Sequence, residues 1–236
     1  MGYVMFGQFG QVHKAPSTTE PVFADNTWEQ IIKACQNNAV PDTWAVGDQK
    51  AMTIGEEEHM ITIIGKNHDD YADGSGKAPL TFQMQDCLAT KYMMQSTRTN
   101  SGGWGASIPY NGDAYDYFME SIPDEVKDGI RIVDKPTSAG SQSSTIEVCG
   151  DDNIFLLSEV EVFGTTGNSF AGEGTQYAYY AAGNTKVKSV SGTATAWWLR
   201  SPDKESSTRY CRVSNAGSAG DYYANTEYGI SYAFCF

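Results

Sequence analysis

The sequence is poor in positive charge. Lys and Arg number 16 against 29 Asp and Glu, which leaves a net charge of −13 and a pI of about 4.5. No run of Lys or Arg offsets this balance, so non-specific attraction to DNA, RNA or an anionic membrane is excluded. Long apolar runs are also missing. The stretches "MITIIG" and "IFLL" fall far short of the ~18 residues that a membrane helix needs, so no membrane insertion is expected. The opening "MGYVMFGQFGQVHKAP" has no basic start and no apolar h-region, and no signal peptide is expected there. Cysteine is scarce and odd in number: Cys35, Cys87, Cys149, Cys211 and Cys235 are widely spaced, with no CxxC or HxxxH pattern. Neither a disulfide framework nor a zinc site fits that spacing, and the thiols read as small buried hydrophobes.

What is present suits one globular domain. Hydrophobic residues make up 40% and aromatics 12% of 236 residues, ample for a core. Charged residues are only 19%, and Ser, Thr, Asn and Gly fill much of the polar surface. That look is common among extracellular or virion β-rich proteins. Residues 1–26 read as a short strand, "YVMFGQF", followed by an extended Pro/Ser/Thr arm that could serve in assembly. "TWEQIIKACQNNAVP" predicts a helix: Thr27 and Gln30 form a capping box, Trp28, Ile31, Ile32 and Cys35 share a face, and Pro41 closes it. "WAVGD", "KAMTI" and "HMITIIG" predict strands, the last two joined by a turn at Glu56, Glu57 and Glu58. "DAYDYFMESI" predicts a second helix that stops before Pro123, with one more turn from Asp124. "IRIVDKP", "STIEVCG" and "GDDNIFLLSEVEVFG" read as strands, "EGTQYAYYAAG" as a short helix, and "TAWWLRSP", "RYCRV" and "GISYAFCF" as a return to β. The class is α+β, with about two main helices and several short antiparallel strands.

One stretch stands apart. "SNAGSAGDYYANTEYG" (214–229) mixes tyrosine with Ser, Asn, Gly, Ala and Thr and holds no Pro, Trp, Met or Leu. It is too small and polar for a core strand and too rich in Tyr for an idle linker. Its composition is that of an antibody loop, in which Tyr gives rigid contact area and Ser, Asn and Gly adapt their hydrogen bonds. The stiff base beneath such a surface is expected from Trp197, Trp198, Leu199, Val213, Ile230 and Phe234.

Other motifs carry less. Asn67, His68 and Asp69 read as buried hydrogen bonds that fix a loop. Asp69, Asp70, Asp73 and Gly74 echo a calcium loop, but Leu80 stands where its twelfth-position acid belongs. "WWLRSP" reads as core Trp with Arg200 paired to an acidic residue. No Ser-His-Asp order, GxSxG elbow or phosphate loop is visible. No catalytic residue, cofactor or metal is therefore expected.

"TWEQI", "WAVGD", "IIGKNHDD", "LTF", "GGWGAS", "IFLLSEVEVFG", "EGTQYAYY", "WWLRSP", "CRVSNAG" and "GISYAFCF" follow one another in an order that resembles the C-type-lectin-like domain of gut bacteria and their phages. That domain often serves as the variable protein of a diversity-generating retroelement. The resemblance spans 27–236; Ser231-Tyr232 replaces the usual x-Pro, and "GKNHDD" the commoner G-F-N-H-D. It implies a C-type-lectin-like fold and a variable region at 203–232, where adenine-directed mutagenesis yields Asn, Ser, Thr, Tyr, Asp, Ala, Gly and Arg but no Trp, Met or Gln. None of those three occurs after Arg200. The binding residues implied are Asp203, Ser206, Thr208, Arg209, Arg212, Ser214, Asn215, Ser218, Asp221, Tyr222, Tyr223, Asn225, Thr226, Tyr228, Ser231 and Tyr232. The expected partner is a protein or glycan on a cell surface, met by a protein displayed on a phage virion or bacterial cell surface, with homo-oligomer or virion assembly possible. The alternatives are a constant structural or adhesive module and, last, an enzyme of the formylglycine-generating type using Cys211 and Cys235.

Overall fold

The computed structural model describes residues 18–236, so the "YVMFGQF" strand lies outside the described residues. Its elements in order are α1 (Trp28–Gln36), β1 (Gln49–Ile54), β2 (Glu57–Lys66), β3 (Leu80–Met84), α2 (Ile108–Asn111), α3 (Asp113–Ser121), α4 (Asp124–Gly129), β4 (Thr137–Ser138), β5 (Ile146–Glu147), β6 (Ile154–Phe155), α5 (Glu159–Phe163), α6 (Ala178–Ala181), β7 (Lys188–Val190), β8 (Thr193–Thr195), β9 (Trp197–Pro202), β10 (Arg209–Val213), β11 (Ala219–Tyr223) and β12 (Ala233–Cys235). The fold is α+β. None of its helices is long and apolar enough to cross a membrane among the described residues.

A five-stranded antiparallel sheet in the order β1-β2-β3-β12-β6 forms the centre. Its inner strand β3 is buried along its whole length, and Phe82 stacks on Phe234 of β12 with ring centroids 5.5 Å apart. Helix α1 forms as its sequence dictates. The Thr27 hydroxyl accepts from the Gln30 amide while the Gln30 side chain accepts from the Thr27 amide, satisfying two donors that a helix start leaves open. Its apolar face sets Trp28 edge-on against Phe82. A second sheet, β11-β10-β9, is anchored by β9, all six of whose residues are buried.

The structure differs from the sequence reading in four places. "WAVGD" forms turns, because Asp48 caps the Ala45 amide and Gly47 takes φ +100°. "IRIVDKP" makes only isolated bridges, Arg131 to Cys235 and Val133 to Tyr71 and Asp152. "SEVEVF" is helix α5, opened by a second capping box between Ser158 and Glu161; that S-x-x-E spacing was readable, and the alternating Val residues masked it. Residues 23–25 are no free arm: Phe23 is buried, with its ring centroid 5.3 Å from that of Trp44.

A candidate binding ridge and its buried support

Strands β10 and β11 form a hairpin closed by "SNAGS". The Ser214 and Ser218 backbones pair, and Gly217 takes φ +82°, the left-handed position that three-residue hairpin loops give to glycine. Ser214, Asn215 and Ser218 sit at this tip. The register pairs Arg209 with Tyr223, Cys211 with Asp221 and Arg212 with Gly220. Side chains alternate across a strand, so Arg209, Asp221 and Tyr223 project to one side of the ribbon, and Arg212 and Tyr222 to the other.

Cationic and aromatic groups interleave on both sides. The Arg98 and Arg209 guanidiniums lie 4.0 Å and 4.9 Å from the Tyr223 ring, and Arg209 donates to Asp221 Oδ1 at 2.8 Å. The two arginines pull the Tyr223 phenol below its ordinary pKa, chiefly through the hydrogen bond from Arg209. On the other side Arg212 lies 5.7 Å from the Tyr222 ring and 5.4 Å from that of Tyr228. The two sides join around the β11 edge, where the Tyr222 and Tyr223 rings meet at 5.7 Å. These side chains therefore form a ridge with two flanks rather than one face. Tyr228 rests on Trp198 at 4.9 Å, which ties the ridge to the core.

Beside the ridge lies a polar cleft of about 410 Å³ lined by Gly167, Asn168, Asp203, Glu205, Ser206, Arg209 and Asp221. Asp203 forms its floor: it is buried and accepts the Glu205 amide at 2.7 Å, and burial first of all raises its pKa. Ser206 and Thr208 share a hydrogen bond at 2.9 Å on the cleft rim. Asn100 pins this loop from below, donating to the carbonyls of Ser206 at 2.7 Å and Arg209 at 2.8 Å. Gly140 makes room for it, since a Cβ there would lie 1.8 Å from the Asn100 carbonyl oxygen.

Of the binding residues expected from sequence, Asn215, Ser218, Tyr222 and Asn225 are exposed, and Ser206, Thr208, Arg209, Arg212, Ser214, Asp221, Tyr223, Thr226 and Tyr228 are half-buried. Asn225 and Thr226 turn the chain at the end of β11. Ser231 and Tyr232 are corrected: both are fully buried, Ser231 donating to the Met84 carbonyl at 2.9 Å and Tyr232 to that of Pro109 at 2.8 Å. They are core residues next to β12, out of reach of a partner. Asp203 is likewise buried and lines the cleft. Arg98 and Asn168 were missed, because nothing local in "QSTRTN" or "TGNSF" signals a contact made so far along the chain. Trp197, Trp198, Leu199, Val213, Ile230 and Phe234 are all fully buried; Trp197, Trp198, Leu199 and Val213 lie in the sheet of the ridge, while Phe234 lies in β12 of the central sheet.

Beneath the ridge, β9 carries Arg200 into a closed charge cluster. Its guanidinium pairs with Glu161, donates to Thr137 Oγ1 at 2.9 Å and reaches the carbonyls of Leu156 at 3.0 Å and Glu173 at 2.9 Å. Lys135 bridges Glu161 at 2.5 Å and Asp69 at 2.7 Å. Asp69 also accepts from Thr81 at 2.5 Å and from the Tyr177 hydroxyl at 2.8 Å. Burial opposes ionisation of Asp69, yet the Lys135 charge and these hydrogen bonds hold its pKa down at about 2. Of the three residues expected as buried hydrogen bonds, Asp69 alone is buried and holds the loop through Lys135, Thr81 and Tyr177; His68 is half-buried and stacks on Tyr177 at 4.0 Å, and Asn67 is exposed. Cys211 and Cys235 lie in different sheets, on β10 and β12, and burial drives both thiols well above their ordinary pKa.

The model of a family described as a domain of unknown function, DUF6273, matches residues 69–236. The chain belongs to that family. The DUF6273 match opens at Asp69 and takes in Lys135, Glu161, Tyr177, Arg200 and the whole ridge. No curated protein and no solved structure matches the chain.

Proposed function

We propose that this protein is a non-enzymatic binding protein of C-type-lectin-like fold, resembling a retroelement variable protein, whose ridge recognises a protein or glycan on a cell surface. The observation that carries this reading is the placement of Tyr222 and Tyr223 on the hairpin and Tyr228 just beyond it in one ring-to-ring chain, beside a strand that is buried throughout. Rigid aromatics over a rigid base suit broad contact better than turnover in a deep pocket. The raised thiols of Cys211 and Cys235 argue against a reactive cysteine pair, since the thiolate is the nucleophile. Display on a virion or bacterial cell surface belongs to the same proposal. So does a variable region, now confined to the exposed and half-buried positions between Ser206 and Tyr228.

The test is binding of the wild type and of a Tyr222→Ala, Tyr223→Ala, Tyr228→Ala variant to extracts of candidate host cells, with and without chelator. The triple variant is expected to lose at least ~2 kcal/mol of affinity, as truncated aromatic anchors do, and chelator is expected to change nothing. Binding that survives the triple variant but not the chelator would place the site elsewhere. A constant module of the same fold is distinguished by neighbouring DNA that lacks a template repeat with adenine-specific mismatches.

A further inference from the structure

We infer that the ridge takes an extended acidic polypeptide segment, added as a strand along the open edge of β11. The inference rests on the ridge being a binding surface and names the chemistry of its partner. Three observations support it. First, β11 is the outermost strand of its sheet. Backbone pairs at Thr208–Ala224 and Ser214–Ser218 bracket the ladder, so by the antiparallel alternation Gly220 and Tyr222 bond inward to β10, while the N–H and C=O of Ala219 and Asp221 point outward. Such groups are a template for an added strand.

Second, the edge concentrates arginine on a chain whose net charge is −13. Arg209 is neutralised by Asp221, but Arg98 and Arg212 have no acidic partner among the described residues. The Arg212 Nε is buried without a hydrogen bond, although the guanidinium is held by two tyrosine rings. The side chain as a whole is half-buried, and an unpaired planar guanidinium beside aromatic rings favours the planar fork of a carboxylate.

Third, there is room. Gly220 stands opposite Arg212, and even a Cβ at Gly220 would stay 4.0 Å from the guanidinium Nη2. Alternate residues of an added strand would face Arg98 on one side of the ribbon and Arg212 on the other, so acids at neighbouring positions meet both. A glycan could supply carboxylates but could not use the outward amides of Ala219 and Asp221 in this register.

The experiment selects a displayed library of random linear peptides on the wild-type protein and on Arg98→Gln and Arg212→Gln variants whose thermal melts match it. Peptides enriched in adjacent Asp and Glu are expected. Each variant should weaken their binding about tenfold, or ~1.4 kcal/mol, and Arg212→Lys, which keeps the charge but not the fork, should restore only part of it. In the complex the Ala219 and Asp221 amides should gain protection from hydrogen exchange. Failure to select any peptide, selection of neutral peptides, or affinities that the arginine variants leave unchanged would overturn the inference. Arginine-dependent binding of sialylated or sulfated oligosaccharides, without amide protection, would overturn it in favour of a glycan. If the triple tyrosine variant loses cell binding while the arginine variants keep it, the acidic partner falls and the binding surface stands. If neither set matters, both fall.

Discussion

The buried cluster around Arg200 and the exposed ridge above it use the same side chains to opposite ends. Both combine Arg, Tyr and a carboxylate. In the cluster each cation is met by a carboxylate, with Arg200 and Lys135 sharing Glu161 and Lys135 also holding Asp69. On the ridge only Arg209 is paired with a carboxylate among the described residues, and Arg98 and Arg212 lean on tyrosine faces. Interior charges without partners would be costly, so the cluster is closed. Surface cations lose little by waiting for a partner. Cations met by carboxylates mark the part that holds the fold, and cations without one the part left free to bind; Glu173 Oε2 stays buried beside the cluster without a hydrogen bond among the described residues.

The sharpest way to break this contrast is to open the cluster. Arg200→Ala leaves Glu161 with one cation in place of two inside the protein, and urea denaturation should register a loss of about 3–5 kcal/mol. Trp198→Ala, at the contact between cluster-bearing β9 and the ridge, should cost about 3–5 kcal/mol in the same assay, mostly as cavity and lost apolar burial. A variant of either kind that melted like the wild type would mean that β9 is not the base of the ridge.

The pH dependence of the cluster sharpens the comparison further. Burial first of all raises the Glu173 carboxyl to about 7, against hydrogen bonds from Ser201 and the Ser138 amide. Because Glu173 titrates higher in the folded than in the unfolded chain, its contribution is whole below the ordinary value of 4.5 and is lost as pH climbs through about 7. Asp152, raised by burial to about 6, acts in the same direction. Stability should therefore fall by ~3 kcal/mol from Glu173 alone between those limits. Glu173→Gln should remove that part of the slope in melts taken across the range, and an unchanged slope would acquit Glu173. The smallest effect belongs to the ridge: exposed substitutions at Asn215, Ser218, Tyr222 and Asn225 should each move stability by no more than ~0.5 kcal/mol in thermal melts. Losses on the scale of Trp198 would mean that the ridge belongs to the core.

The division was partly legible in the sequence. The base of the ridge could be read because "WWLRSP" has no polar alternation, its two polar residues Arg200 and Ser201 being adjacent, and a strand of that kind is buried on both faces. The Tyr-rich composition marked the hairpin for the same local reason. The ridge's shape could not be read, since it depends on the register that sets Arg209 opposite Tyr223 and Arg212 opposite Gly220, and on Arg98 arriving from far along the chain. Tyr232 misled because tyrosine looks alike in a paratope and in a core; only the Pro109 carbonyl that takes its hydroxyl decides which. The members of the cluster around Arg200 were equally hidden. Glu161 lies in a helix read as a strand, and Lys135 in a segment that carries only bridges.

The position of β12 between β3 and β6 has a kinetic consequence. The central sheet cannot close until the last strand arrives, because Phe234 must pair with Phe82 and Ile154 from far along the chain. Closing so large a loop before its contacts form places folding in the slow, millisecond-to-second range of topologies rich in distant pairing. During synthesis β3 waits with one edge bare, and such edges recruit other chains. Stopped-flow refolding on a microsecond scale would contradict this order of events. Yield at high expression should therefore depend on what shields β3 before β12 is made, whatever the composition of the ridge.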